Sequence, residues 1–170
     1  MRYLQFLAFL SLILFSSCGG GNKDCPYGDP QAIFNDKIPG GTNHKFSVSN
    51  GSSTESIDFA DMDFSIEVFQ SGCEEITQEF RFHLIGELDP NIPAPECALI
   101  IAGIFQALGQ QDPSLFQLGS WADAIGQSSL DFQYNESTNL TGHPFHAQLD
   151  KTHGSNSAIV TLALKSSSDE

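Results

Sequence analysis

Phe64-Ser65-Ile66-Glu67-Val68 and, after a short break, Glu79-Phe80-Arg81-Phe82-His83-Leu84 decide the fold of this chain. In each run apolar and polar residues alternate with period two, the pattern of a strand with one buried face. The break between them, Gln70-Ser71-Gly72-Cys73-Glu74-Glu75, is short and contains Gly. Together they predict a β-hairpin. Upstream, His44 to Ser49 and Glu55 to Ala60 read as further strands, with Phe46 and Val48 on one face of the first and Ile57 and Phe59 on one face of the second. Asn50-Gly51 between them predicts a turn.

The period changes after Pro90-Asn91-Ile92-Pro93. Pro95 to Leu108 is apolar nearly all round, with Pro in the first turn and Gly109 just past the end, and it predicts a helix buried in the core. Asp112-Pro113 supplies an N-cap and first-turn Pro for a second helix carrying Leu115, Phe116, Leu118, Trp121 and Ile125, although Gly119 within it is a weak helix former. Strands return at Leu130, Phe132 and Tyr134, at Phe145, Ala147 and Leu149, and at Ala158, Val160, Leu162 and Leu164, the last two joined through Lys151 to Asn156. Strands, then helices, then strands predict an α+β domain: an antiparallel sheet of about five to seven strands with one or two helices packed on one face. No internal repeat is apparent.

The N-terminus carries a different kind of information. Arg2 precedes an apolar stretch from Leu4 to Phe15, followed by Ser16, Ser17 and Cys18. One positive charge, a short apolar core and small residues describe an export signal, too short to span a bilayer comfortably. Phe15-Ser16-Ser17-Cys18 resembles the lipobox of bacterial lipoproteins, with Phe15 where Leu is usual. The resemblance covers the N-terminus only, and it implies cleavage before Cys18 and attachment of a thioether-linked diacylglycerol to that residue. Gly19 lacks the Asp that retains many lipoproteins at the inner membrane, so the resemblance also implies lipid anchoring in the outer membrane of a Gram-negative envelope, facing the periplasm or the surface. The expected organisation is a signal peptide over 1–17, lipidated Cys18 and a flexible glycine-rich tether over 18–30, one α+β domain over 31–165 and a disordered tail over 166–170.

What remains after the signal is about one domain by length, enough to bury a substantial core. The formal net charge is −14. Such a surface repels nucleic-acid phosphates and anionic lipid heads, so nucleic acid is not an expected partner and membrane contact falls to the acyl chains. Acidity of this kind keeps an exported domain soluble, and it leaves a basic protein partner or divalent cations as open alternatives. With Cys18 assigned to lipid, Cys25, Cys73 and Cys97 remain in an oxidising compartment. Cys73 with Cys97 is the favoured disulfide, the two pairings through Cys25 being open alternatives.

Chemistry-bearing clusters are few. His143, His146 and His153 with Asp150 offer imidazole and carboxylate ligands, but strand alternation puts His143 and His146 on opposite faces and Pro144 blocks a helix. Asp58, Asp61 and Asp63 are interleaved with Phe59, Met62 and Phe64, as in a solvated strand edge and unlike a calcium loop. No metal or cofactor is expected. Neither a nucleophile elbow, nor H-E-x-x-H, nor a phosphate-cradling glycine loop is present. Sequons begin at Asn50, Asn135 and Asn139 and are chance matches in a bacterial chain. The expected function is a non-enzymatic binding module at the envelope. The alternatives are an inhibitor or immunity-type protein against a basic enzyme, and a small hydrolase using His143, His146 or His153 with an Asp.

Overall fold

The computed structural model describes residues 29–72, 76–86, 88–154 and 157–166. Seven strands form one antiparallel sheet: β1 (Thr42–Ser49), β2 (Ser52–Phe59), β3 (Phe64–Ser71), β4 (Thr77–Ile85), β5 (Ser137–Asn139), β6 (Phe145–His153) and β7 (Ser157–Ser166). Between β4 and β5 come α1 (Ala94–Gln111) and α2 (Phe116–Gln127). The strand order is β1-β2-β3-β4-β7-β6-β5. This is the α+β architecture that the periodicities predict. The jump in strand order lies between β4 and β7: after β4 the chain runs through the helical pair to β5 at the far edge and returns through β6 to place β7 beside β4.

Alternation decides which way each strand faces. Ile57 and Phe59, Ile66 and Val68, Phe80 and Phe82, and Val160, Leu162 and Leu164 are all buried. In register across β2, β3, β4 and β7, Ile57 meets Ile66, Ile66 meets Phe82, and Phe82 meets Val160, so one sheet face is continuously apolar. Onto this face the helices lay Phe105 and Trp121. The Phe105 ring centroid is 5.0 Å from that of Phe80 and 5.5 Å from that of Phe82, and Trp121 stands edge-on to Phe80 at 5.6 Å. Asn50 and Gly51, at φ 51° and 73°, form the two-residue turn between β1 and β2. Positive φ at both positions suits the right-handed twist of a hairpin, and Asn-Gly adopts it readily.

Several expectations need correction. The helix predicted for 95–108 runs to Gln111, so Gly109 lies inside it and is not its stop signal. A Cβ on Gly109 would lie 2.9 Å from Gly119 N, so Gly109 lets α1 approach the backbone of α2, whereas a Cβ on Gly119 would meet nothing within 4 Å. Gly109→Ala is therefore expected to destabilise the domain by about 1–3 kcal/mol, the usual cost of overpacking. Thermal unfolding checks this, and a gain in stability, as from an ordinary Gly→Ala change in a helix, would show that the helices have room to spare. Nor is α1 buried all round. Ala98, Ile101, Phe105 and Leu108 face inward, but Leu99 is 51% exposed and Ile100 37%, because a helix in an outer layer covers the sheet with one stripe only.

The segment from Leu130 to Tyr134 is not a strand. Residues 129–131 form a 3-10 turn, Phe132 is buried, and Tyr134 makes an isolated bridge to Leu149. The strand that follows is β5, which carries no apolar alternation to betray it. Ser166, expected in the tail, closes β7: its N–H donates to Ile76 O at 3.0 Å, and its Oγ accepts from Ile76 N–H at 3.0 Å. The expected signal peptide and almost all of the tether lie outside the described residues. No helix among the described residues is long and apolar enough to cross a membrane.

Candidate functional site

Alternation also composes the opposite sheet face, where most residues are polar and many are half-buried. Glu67 on β3, Arg81 on β4, Thr161 on β7 and Asp150 on β6 are neighbours along one row. Arg81 lies 4.3 Å from the Phe69 ring centroid, and its Nε donates to Glu79 Oε1 at 2.7 Å. A guanidinium over an aromatic face with one carboxylate beside it keeps further N–H groups to offer a ligand. One strand position away, His83 Nε2 is 3.2 Å from Glu67 Oε2, within ion-pair reach but off the line of a hydrogen bond. Two neighbouring hollows lie on the β1–β4 part of this face. One, of about 440 Å³, is bordered by Lys45, Thr54, Ser56, Glu67 and Phe69. The other, of about 330 Å³, shares Lys45, Ser56 and Glu67 and adds Asn43, Asp58, Ser65 and His83. Lys45 and Glu67 border both, so each hollow offers one ammonium and at least one carboxylate to a ligand.

A second constellation sits at the β1 edge. Asn43, at φ 54°, makes an irregularity in the β1–β2 register between Thr42 and Lys45, and His44 lies within it. His44 Nδ1 is 2.6 Å from Asp36 Oδ1, and Nε2 is 2.7 Å from Glu55 Oε1. The Glu55 side chain is completely buried, and it also accepts Ile33 N–H at 2.8 Å and Phe34 N–H at 2.9 Å. Burial alone would lower the His44 pKa, but hydrogen bonds and charge from Asp36 and Glu55 outweigh it and leave it raised. With both ring nitrogens committed to carboxylates, the imidazole has no free position for proton abstraction. The group is a clamp. Its signal in the sequence was phase: Glu55 lies two and four residues before buried Ile57 and Phe59, and so on the inward face.

The histidines named in the sequence do not converge. His143 precedes β6, His146 lies near its start opposite Lys165, and His153 is the last residue of the strand. Among the described residues no group of three or more His, Cys, Asp or Glu is placed to hold a metal ion. Asp58 accepts from Asn43 Nδ2 at 2.8 Å, whereas Asp61 and Asp63 lie in and just after the 3-10 turn joining β2 to β3. His143 does meet a partner absent from sequence reasoning: its Nε2 is 2.9 Å from Ser120 Oγ on α2. A nucleophile and base at this distance are two parts of a hydrolytic site. The third is missing, since His143 Nδ1 is buried with no hydrogen-bond partner among the described residues.

Cys97 is a buried free thiol in the first turns of α1. Burial pushes its pKa up, against opposing effects of a hydrogen bond with Tyr134 and the charge of Lys151. A thiol held protonated is a poor nucleophile. Burial, together with Cys97, pushes the Tyr134 pKa up as well. The Tyr134 hydroxyl donates to Ile92 O at 2.9 Å, and Lys151 Nζ donates to Pro90 O at 2.9 Å and Ile92 O at 3.1 Å, tying the start of α1 to β6. Of the favoured disulfide partners, Cys73 lies outside the described residues, as do Cys18 and Cys25. Compared with protein-family models, with curated proteins and with solved structures, the chain matches none.

Proposed function

We propose that this chain is a lipid-anchored lipoprotein of a Gram-negative outer membrane, and that its domain is a non-enzymatic binding module working through the outer face of the sheet. The observation that carries the binding role is the pair of hollows around Lys45, Ser56 and Glu67, beside Arg81, Phe69 and His83. An aromatic plane, a guanidinium and carboxylates on a rigid sheet supply apolar contact, directional hydrogen bonds and charge within one surface. The helical layer leaves this face uncovered for a protein or other ligand at the envelope. The anchoring role rests on the resemblance of Phe15-Ser16-Ser17-Cys18 to a lipobox.

Two alternatives have an observation each. A net charge of −14 suits an inhibitor or immunity-type protein that neutralises a basic enzyme by electrostatic complementarity. The 2.9 Å contact between Ser120 and His143 suits a small hydrolase. Loss of ester hydrolysis in Ser120→Ala and His143→Ala, against an active parent, would favour the hydrolase over binding.

Metabolic labelling with a fatty acid tests the anchor. Label is expected on the parent and absent from Cys18→Ala. Equal labelling of both, or a mature N-terminus elsewhere than residue 18, removes the lipoprotein reading.

A further inference from the structure

The lead-in to the sheet, residues 31–38, is tied down by two core side chains and by hydrogen bonds to Gln70, Asp112 and, most directly, the buried Glu55. Phe34 and Ile38 sink into the core, and Ile33 and Phe34 give their N–H groups to Glu55. Gln31, Ala32 and Ile33 also form one wall of a hollow of about 230 Å³, whose other walls are Gln70 and Gln78 on the sheet, Ser114 and Leu115 just before α2, and Gln117 and Leu118 in its first turn.

We infer that Asp36, His44 and Glu55 form a pH-sensitive latch, which fastens residues 31–38 to the sheet edge while the imidazole carries two protons and loosens when it loses one. A carboxylate is an acceptor only. Two carboxylates, at 2.6 and 2.7 Å from the two ring nitrogens, are both satisfied only if both nitrogens carry hydrogen. Neutral imidazole must turn a lone pair toward Asp36 or Glu55. The cost falls most heavily at Glu55, which is cut off from water, whereas Asp36 is 86% exposed and can turn to solvent. Among the described residues no lysine or arginine makes an ion pair with Asp36 or Glu55. On the segment Lys37 follows Asp36 and bonds through its backbone to Asn35; on β2 Asp58 takes Asn43; from the helical layer Asp112 faces Asn35; on β1 Lys45 borders the outer-face hollows.

The sign follows from the direction of the shift. A folded-state pKa raised above 6.5 gives a contribution that is complete below 6.5 and lost as pH rises through the folded value. Each unit of the shift makes the latch about tenfold tighter on the acid side. The latch thus closes on moderate acidification and opens on the alkaline side.

Amide hydrogen exchange on the full chain, followed from about pH 6 to about pH 9 and corrected for intrinsic rates, tests this. Protection at Ile33 and Phe34 should fall about tenfold or more relative to amides of β4 and β7, and in His44→Gln the same amides should be weakly protected with no pH step. A parallel decline in both proteins, or no step in the parent, overturns the latch. An NMR titration of the parent's His44 ring gives a second reading if the variant folds poorly. A value above 6.5 is expected, and a value at or below it is fatal to the proposal.

Discussion

Phe105→Ala should lower the unfolding free energy by about 3–5 kcal/mol, the usual cost of deleting a buried Phe. Phe105 is fully buried, and its ring meets Phe80 edge-on at 5.0 Å, Phe82 at 5.5 Å and Trp121 at 6.0 Å. It is the point at which both helices and the two Phe residues of β4 share one contact. Truncation leaves a void bounded by rigid rings, which cannot collapse to fill it. Since a domain of this size is stable by roughly 5–15 kcal/mol, the variant should be marginal. Thermal unfolding of protein lacking residues 1–17 should show a fall of roughly 6–20 °C. A fall of only a degree or two would mean that the ring is not in the core and that α1 presents an apolar face to something else.

Glu55→Ala should cost a similar amount for a different reason. It strips three donors of their acceptor at once: Ile33 N–H, Phe34 N–H and the His44 ring. Breaking a buried charged pair by removing one partner costs about 3–5 kcal/mol, because the remaining groups stay desolvated. Glu55→Gln is the sharper comparison. Its amide keeps one oxygen but turns an N–H toward a donor, and a loss of about 1–3 kcal/mol is expected. Denaturant unfolding measures both. If the Ala variant unfolds at the parent's midpoint, Glu55 is not the fixing point of the lead-in segment, and the latch loses its foundation.

Both effects bear on how much was legible in the chain. Phe80, Phe82, Ile101 and Phe105 announce their burial through period, since a strand or helix facing a core must repeat with its own geometry. The hairpin, both helices and the final strand pair were therefore readable. Leu130, Phe132 and Tyr134 alternate as well, yet only Phe132 is fully buried and Leu130 is 87% exposed. Three residues in alternation do not distinguish a strand from a turn followed by an extended connection. β5 pairs through Ser137, Thr138 and Asn139, whose backbone groups complete the sheet without an apolar signature. Gly109 carries the signature of a stop because glycine commonly ends helices, but here the close approach of the Gly119 backbone governs it.

The candidate sites were less readable, because contacts between distant segments leave no mark on spacing. Ser120 and His143 are separated by twenty-three positions and meet only once α2 has packed against the turn before β6. Asp36, His44 and Glu55 lie on three segments, and only the inward phase of Glu55 hints at them. The outer-face group was half visible: Glu67, Arg81 and His83 are the polar members of the alternating hairpin, but their alignment with Thr161 and Asp150 depends on the β4–β7 pairing.

The most direct test of the binding account is site-specific photocrosslinking in intact cells, with the probe placed singly at Thr54 or Ser65 on the outer sheet face, or at Ala107 or Leu130 on the helical side. Thr54 and Ser65 border the two hollows, and Ala107 and Leu130 are exposed. The account predicts a discrete adduct from the first two positions and none from the others. Adducts confined to Ala107 or Leu130, or no adduct from any of the four, would contradict it.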